Sequence, residues 1–291
     1  MDKLNFPIYP DLKDKTILIT GGGSGIGASF VEAFARQGSR VAFIDIEEDA
    51  LESAYTSINQ ANVDIQRHVC DITDREKVSE VATSISAHFG RIHILCNNAG
   101  VVSGGRVGEL TYDDWDWVMG VNFNGVVNGM QTYVPLIKAH GEGGHIVNTS
   151  SILGHITGER QSIYSASKYA VLALSEAARL DLQGESIGVS ALCPGMIATK
   201  IIESDRNRPN SFANTDASFT EYDRDVVSQT FQSMGLHPDK VGEQVVHGIK
   251  YNKAYIFTHA GLRSSIEKRY KTILDSFDGS EVDGGDLGDI D

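Results

Sequence analysis

The run TGGGSGIGASF, Thr20 to Phe30, follows the β-branched stretch TILIT at 16–20 and leads into SFVEAFARQ, where apolar residues recur every three to four positions. The chain therefore passes from strand through a glycine turn into a helix. Gly23, Gly25 and Ala28 satisfy G-x-G-x-x-G/A, while Gly21, Gly25 and Gly27 form a second register, TGxxxGxG. Glycine meets two needs at such a turn: positive φ, and no Cβ where backbone must approach a pyrophosphate. The helix behind it offers free N–H groups and a positive dipole end to phosphate. In this strand–turn–helix context the segment reads as a dinucleotide cradle, with Gly21, Ser24, Gly25, Ile26 and Gly27 as its contacts.

Working outward, RVAFIDI (40–46), DIQRHVC (64–70), IHILC (92–96), HIVNTS (145–150), GVSALC (188–193) and YIFT (255–258) read as further strands. Between them lie helical patterns, among them EDALESAYTSI, REKVSEVATSISAHF and a long stretch from Tyr112 to Ala139. Apolar strands alternating with helices imply βαβ units: a single α/β domain with a doubly wound, Rossmann-like parallel sheet of about seven strands, helices on both faces. We expect this domain to span 1–277, with a substrate lid at about 201–236. In such sheets a ligand sits beyond the carboxyl ends of the strands. Asp45, 24 residues after Gly21, is placed to bind the adenosine ribose and to repel a 2′-phosphate. No Arg or Lys lies in the glycine turn or directly after Asp45, so NAD is favoured over NADP. Asp71 and Ile72 follow the third strand, where they would meet the adenine; a helix cap is the other reading of Asp71.

Composition narrows the function classes. The chain has 291 residues, 41% hydrophobic and 22% charged, with a formal net charge of −14, an ordinary globular composition and a poor match to nucleic acid or an anionic membrane. DGSEVDGGDLGDID, from Asp278, carries six acids and no base and reads as a disordered tail over 278–291. The three cysteines, Cys70, Cys96 and Cys193, are unpaired in spacing and suit buried thiols of a reducing, cytoplasmic setting. The N-terminal stretch lacks the apolar core of a signal peptide, and no apolar run has the length of a membrane span. No histidine stands at metal-ligand spacing, so no metal is expected.

The segment YSASK puts Tyr164 and Lys168 on one helical face, about 6 Å apart at Cβ. An ordinary tyrosine, with a pKa near 10, is phenolate only about once in a thousand molecules at pH 7. An ammonium about 4 Å away contributes on the order of 4 kcal/mol at an effective dielectric of 20, enough to lower that pKa by up to about three pH units. Tyr9 and Lys13 share the spacing without any cofactor element around them, so the spacing alone decides nothing.

The ordered set TGGGSGIG (20–27), NNAG (97–100), Asn122 in GVNFNG, Ser151 in IVNTSSILG, YSASK (164–168) and PGMIAT (194–199) resembles the short-chain dehydrogenase/reductase family, of the common, non-extended type. The resemblance covers about residues 13 to 260 and implies an NAD-dependent oxidoreductase. Tyr164 would be its acid/base, Lys168 would lower the tyrosine pKa and bind the nicotinamide ribose, and Ser151 would orient the reacting oxygen. It implies that Asn122 kinks its helix and holds a water linking Lys168 to solvent; a locally bonded amide is the alternative. It further implies cofactor contacts from Asn98, Ala99 and Gly100, from Pro194, Gly195 and Ile197, and from Thr199 to the nicotinamide amide. Leu153, His155 and Met196, with the lid aromatics Phe212 and Phe219, would wall an apolar substrate pocket, His155 as wall or solvent-facing group rather than catalyst.

The block from Thr111 to Ser151 is similar to that of bacterial dehydrogenases for bulky secondary alcohols, those oxidising the benzylic alcohol of lignin-derived aryl ethers included. A hydroxysteroid-type alcohol and, from another class, a dinucleotide-sensing regulator are the competing readings. Family members pair through the two long helices, here about 112–139 and 162–184, implying a homodimer or homotetramer.

Overall fold

The computed structural model describes residues 11–58, 63–212 and 221–277; Phe219 and the acidic segment 278–291 lie outside the described residues. The chain divides into two compact units, Met1–Thr258 and His259–Asp291, a boundary that the expected 1–277 domain crosses. The first unit runs β1 (Thr16–Thr20), α1 (Gly25–Arg36), β2 (Arg40–Asp45), α2 (Glu48–Ile58), β3 (Ile65–Val69), α3 (Arg75–Phe89), β4 (Ile94–Asn97), α4 (Tyr112–Met119), α5 (Gly125–Ala139), β5 (Gly144–Thr149), α6 (Ser162–Asp181), β6 (Ile187–Cys193), α7 (Glu221–Met234), α8 (Pro238–Lys250) and β7 (Tyr255–Phe257). In the second unit, a short 3-10 turn at Ala260–Leu262 leads into α9 (Arg263–Asp275).

The strands form one seven-stranded sheet in the order β3-β2-β1-β4-β5-β6-β7, and every pairing is parallel. All of β1, β4, β5 and β6 is buried, as a sheet covered on both faces requires. Side chains alternate between two cores. Ile17, Ile19, Phe43, Ile94, Val147 and Leu192 meet α1, α2 and α8; Leu18, Ile44, Leu95, Ile146 and Val189 meet α3, α5 and α6. Each fully buried Leu, Ile or Phe stabilises the layering by roughly 1.5–3 kcal/mol. No helix among the described residues is long and apolar enough to cross a membrane.

The expected helix from Tyr112 to Ala139 is interrupted. A π-helical turn, Gly120–Asn124, separates α4 from α5. Its cause is Asn122, fully buried, whose Nδ2 donates to Val101 O and whose Oδ1 accepts from Val101 N, at 2.9 and 2.8 Å. This side-chain clamp on a neighbouring strand exit holds a widened turn that a uniform helix would close.

Candidate active site

Strand order reverses at β1/β4, where β2 lies on one side and β5 on the other. Connections leave such a point in opposite directions and open a crevice above the sheet. Here the crevice is a cleft of about 580 Å³. Thr20, the last residue of β1, ties its two walls together. Its Oγ1 accepts from Asn98 N and Ala99 N at 2.9 and 3.0 Å, and Asn98 Nδ2 donates back to Thr20 O and Gly21 O, both at 3.2 Å.

Gly21 and Gly25 have φ of +65° and +54°, in the left-handed region where a side chain is costly. A Cβ on Gly21 would come within 2.8 Å of Ala99 Cα, and one on Gly25 within 3.0 Å of Thr199 Cγ2. Ser24 starts α1 without a side-chain capping bond, and Ser24, Gly25 and Ile26 line the cleft. The first-turn N–H groups of α1 are thus available to an anion. Gly27 is a correction to the expected contacts. It lies behind the turn rather than on the cleft wall, and a Cβ there would overlap the Gly21 carbonyl, so it lets α1 close onto β1.

Asp45 lines the same cleft. Its Oδ2 accepts from Gly23 N at 2.9 Å and its Oδ1 from Glu47 N at 3.1 Å. Burial nevertheless raises its pKa, outweighing those bonds. Asp71 and Ile72 also face the cleft. Asp71 Oδ1 accepts from Thr73 N and Thr73 Oγ1, both at 2.8 Å, an Asx-type turn, while the cap of α3 is Asp74. Asn98, Ala99 and Gly100 form one wall; Pro194, Gly195, Met196, Ile197 and Thr199 form another.

At the far end stand Ser151, Tyr164 and Lys168. Ser151 Oγ accepts from Leu153 N at 3.1 Å, which leaves its own proton to donate, and its hydroxyl lowers the pKa of the neighbouring Tyr164 phenol. Ser150, its neighbour, is committed elsewhere: its Oγ donates to Lys168 O at 2.7 Å. Lys168 is only 3% exposed. Its Nζ donates to Thr149 O at 2.9 Å and sits 5.6 Å from the Tyr164 ring centroid. Asn122 reaches the same place from behind. A Cβ on Gly100 would lie 3.3 Å from Asn122 Oδ1 and 3.4 Å from Lys168 Nζ, and Asn122 Nδ2 also donates to Ser167 Oγ at 3.0 Å. Its three side-chain bonds go to Val101 and Ser167, 21 and 45 residues away, so it is not a locally bonded helix amide, and they hold it next to the lysine.

The direction of the tyrosine shift departs from expectation. Burial pushes the Tyr164 phenol up to about 12, against the lowering effect of Ser151, and brings Lys168 down to about 8. Desolvation disfavours both charged forms, and the lysine is bonded to a carbonyl rather than to the phenol. A further correction concerns His155, which does not line the cleft. It is buried, with Nε2 3.3 Å from Cys193 Sγ and its ring 5.2 Å from that of Phe257, because the short 3-10 turn Ile152–Gly154 carries it over the end of β6. Leu153, Met196 and Phe212 do line the cleft.

Several wall residues were not anticipated. Val101, Val102, Trp117 and Gln161 line the cleft, and Ile202, Val227 and Phe231 add apolar surface to it. Val227 and Phe231 stand four apart in α7, a spacing that could have flagged them. Glu47 and Arg206 also face the cleft; nothing in the sequence links residues so far apart.

The glycine cradle, with two positions closed to any Cβ, an uncapped helix start and an acid at the end of β2, fits a dinucleotide along one half of the cleft. A serine–tyrosine–lysine set then stands at its other end. Residues 15–210 match the sequence model of the short chain dehydrogenase family. The chain belongs to that family. Short-chain dehydrogenases are oxidoreductases that act on CH–OH donors with a nicotinamide dinucleotide. Among curated relatives, the C alpha-dehydrogenase of Sphingobium sp. (strain SYK-6) is 36% identical over 94% of this chain and 90% of its own. Among solved structures, a short-chain dehydrogenase/reductase from Burkholderia phymatum in complex with NAD superposes with a TM-score of 0.87 at 31% identity, covering 91% of this chain and 96% of that one. The apo form of LigD from Sphingobium sp. strain SYK-6 gives 0.76 at 34% identity, over 91% and 98%.

Proposed function

We propose that this short-chain dehydrogenase interconverts a bulky secondary alcohol and its ketone with NAD as cofactor. The observation that carries the reading is the meeting of Ser151, Tyr164 and the buried Lys168 on the wall of one cleft with the glycine cradle and an apolar chamber. Backbone of Gly21, Ser24, Gly25 and Ile26 would hold the pyrophosphate, Asp45 the ribose, Asp71 and Ile72 the adenine, and Thr199 the nicotinamide amide. When bound, the nicotinamide supplies the hydride acceptor or donor and, oxidised, a positive charge near the phenol. In the oxidising direction Tyr164 Oη takes the alcohol proton; in the reducing direction it returns one. Ser151 donates its free proton to the reacting oxygen, where charge develops. Lys168 favours the phenolate and binds the nicotinamide ribose, and Asn122 holds the turn behind it.

Substrate bulk is supported by Trp117, Leu153, Met196, Phe212 and Phe231 on the chamber walls, and by the likeness to a C alpha-dehydrogenase; an aryl carbinol fits them. The choice of NAD is supported by Asp45 and by the engagement of the cleft-lining Arg206 with Glu47. As part of the same reading the chain is a homodimer or homotetramer, pairing through α4, α5 and α6, where Tyr112 and Leu180 are exposed.

The test is Tyr164→Phe. It should lower kcat by at least about a thousandfold while the Kd for NADH, followed by its fluorescence, stays within about threefold. A variant that kept most of its turnover would sink the assignment.

A further inference from the structure

The segment after β6 does not stay above β6. Gly195–Thr199 lead into a short 3-10 stretch, Ile201–Asn207, whose Arg206 meets Glu47, two residues past the end of β2. Between β6 and β2 lie β5, β4 and β1, so the crossing spans four strand spacings, about 19 Å. That path runs over the carboxyl ends of the strands that floor the cleft. Arg206, Asn207 and Glu47 all line it.

The contact is built with care for geometry. Arg206 Nε donates to both oxygens of Glu47 at 3.1 Å, and Nη2 to Oε1 at 2.7 Å. Asn207 Nδ2 adds a bond to the same Oε1 at 2.7 Å. The remaining nitrogen of Arg206, Nη1, donates to Lys200 O and Glu203 O at 3.1 and 2.9 Å, which holds the guanidinium at the end of its own turn. The segment is also fixed on either side of Arg206. Val102 N donates to Ser204 Oγ at 3.1 Å. Arg208 pairs with Asp114 at 2.8 Å, the two side chains 4% and 0% exposed, and lies 5.0 Å from the Trp117 ring centroid. Arg206 is therefore presented to Glu47 by an anchored support, and little side-chain freedom is lost in the pairing.

We propose that Arg206 and Glu47 form a clasp across the cofactor half of the cleft, a positioning pair that must part before a dinucleotide can leave. The proposal rests on the reading that this cleft holds the dinucleotide. The clasp joins the segment after β6 to the exit of β2, so its opening governs release more than chemistry. Both side chains keep about a third of their exposure, 34% and 30%, so salt reaches them.

The experiment is stopped-flow displacement of NADH from the whole protein, read by NADH fluorescence, for wild type, Arg206→Gln, Glu47→Gln, the double variant and the reversed pair Glu47→Arg with Arg206→Glu. Release should accelerate about threefold to tenfold in each single variant, no further in the double variant, and return toward wild type in the reversed pair. Added salt should speed release from wild type more than from the glutamine variants. Melting temperatures without cofactor serve as the control for folding, and a merely structural role would not give rescue by reversal. Single variants that release NADH within twofold of wild type, or additive effects without rescue, would overturn the clasp alone. A wild type that does not bind NADH would overturn the dinucleotide reading and the clasp with it.

Discussion

Lys168 has almost no contact with water, and burial holds its ammonium down to about 8. At neutral pH it still carries its proton for most of the time, 5.6 Å from the centre of the Tyr164 ring. The tyrosine, pushed up to about 12, is a poor base until positive charge stands close to it. Lys168→Met removes the ammonium that the helix places beside the phenol. We predict a loss of about 100-fold or more in kcat, with the rising limb of kcat/KM for alcohol oxidation displaced to higher pH. A pH profile between 6 and 10 checks both; an unmoved limb would remove Lys168 from the tuning of the phenol. The tyrosine–lysine pair was legible in the sequence because i,i+4 spacing is a local fact. The sign of the tyrosine shift was not, because depth of burial and the diversion of Nζ to the Thr149 carbonyl are tertiary.

Among the elements, the β1–α1 junction is set by close approach. Gly27→Ala forces a methyl against the Gly21 carbonyl, which neither a rotamer change nor a local shift relieves. We predict a cost of about 1–3 kcal/mol or more in urea unfolding, together with weakened NADH binding because the Gly21 turn must move. Stability equal to wild type would mean that α1 has room to lift off β1. The seven strands were readable to within one or two residues, since β-branched runs between turns carry their own signal. The break at Gly120–Asn124 was expected only through the family resemblance of Asn122, since the bond that holds it depends on Val101, 21 residues before Asn122. Nor could spacing show that the 3-10 turn after Ser151 would carry His155 away from the cleft.

At the scale of the molecule, the sheet is held from both faces, and its lower end is closed by buried imidazoles. His145 is fully buried, with Nε2 2.8 Å from Ser190 Oγ. Ser190 gives its only proton to Lys253 O, so Nε2 carries a hydrogen, and burial keeps the ring neutral. Burial lowers its pKa to about 3, helped by Arg179. Between pH 6.5 and about 3 the unfolded chain binds a proton at this residue that the folded chain refuses. Stability therefore falls as pH drops through that window, by about 1.4 kcal/mol per pH unit from this group. His145→Gln should make the decline between pH 6 and 4.5 shallower by that amount in urea titrations, whatever the substitution costs at neutral pH. Identical slopes would show that His145 is solvated or already paired when protonated. His93, likewise lowered by burial, keeps its share of the decline. The ion pair between Glu47 and Arg206 has a bearing on how such enzymes can be recombined. On the proposed function, the dinucleotide-binding half would end before the segment that would recognise substrate begins, and exchanging one half for that of a relative is an obvious way to build chimaeras. Here each half contributes one member of a matched pair, so a graft that brings in one without the other leaves an orphaned charge at the seam.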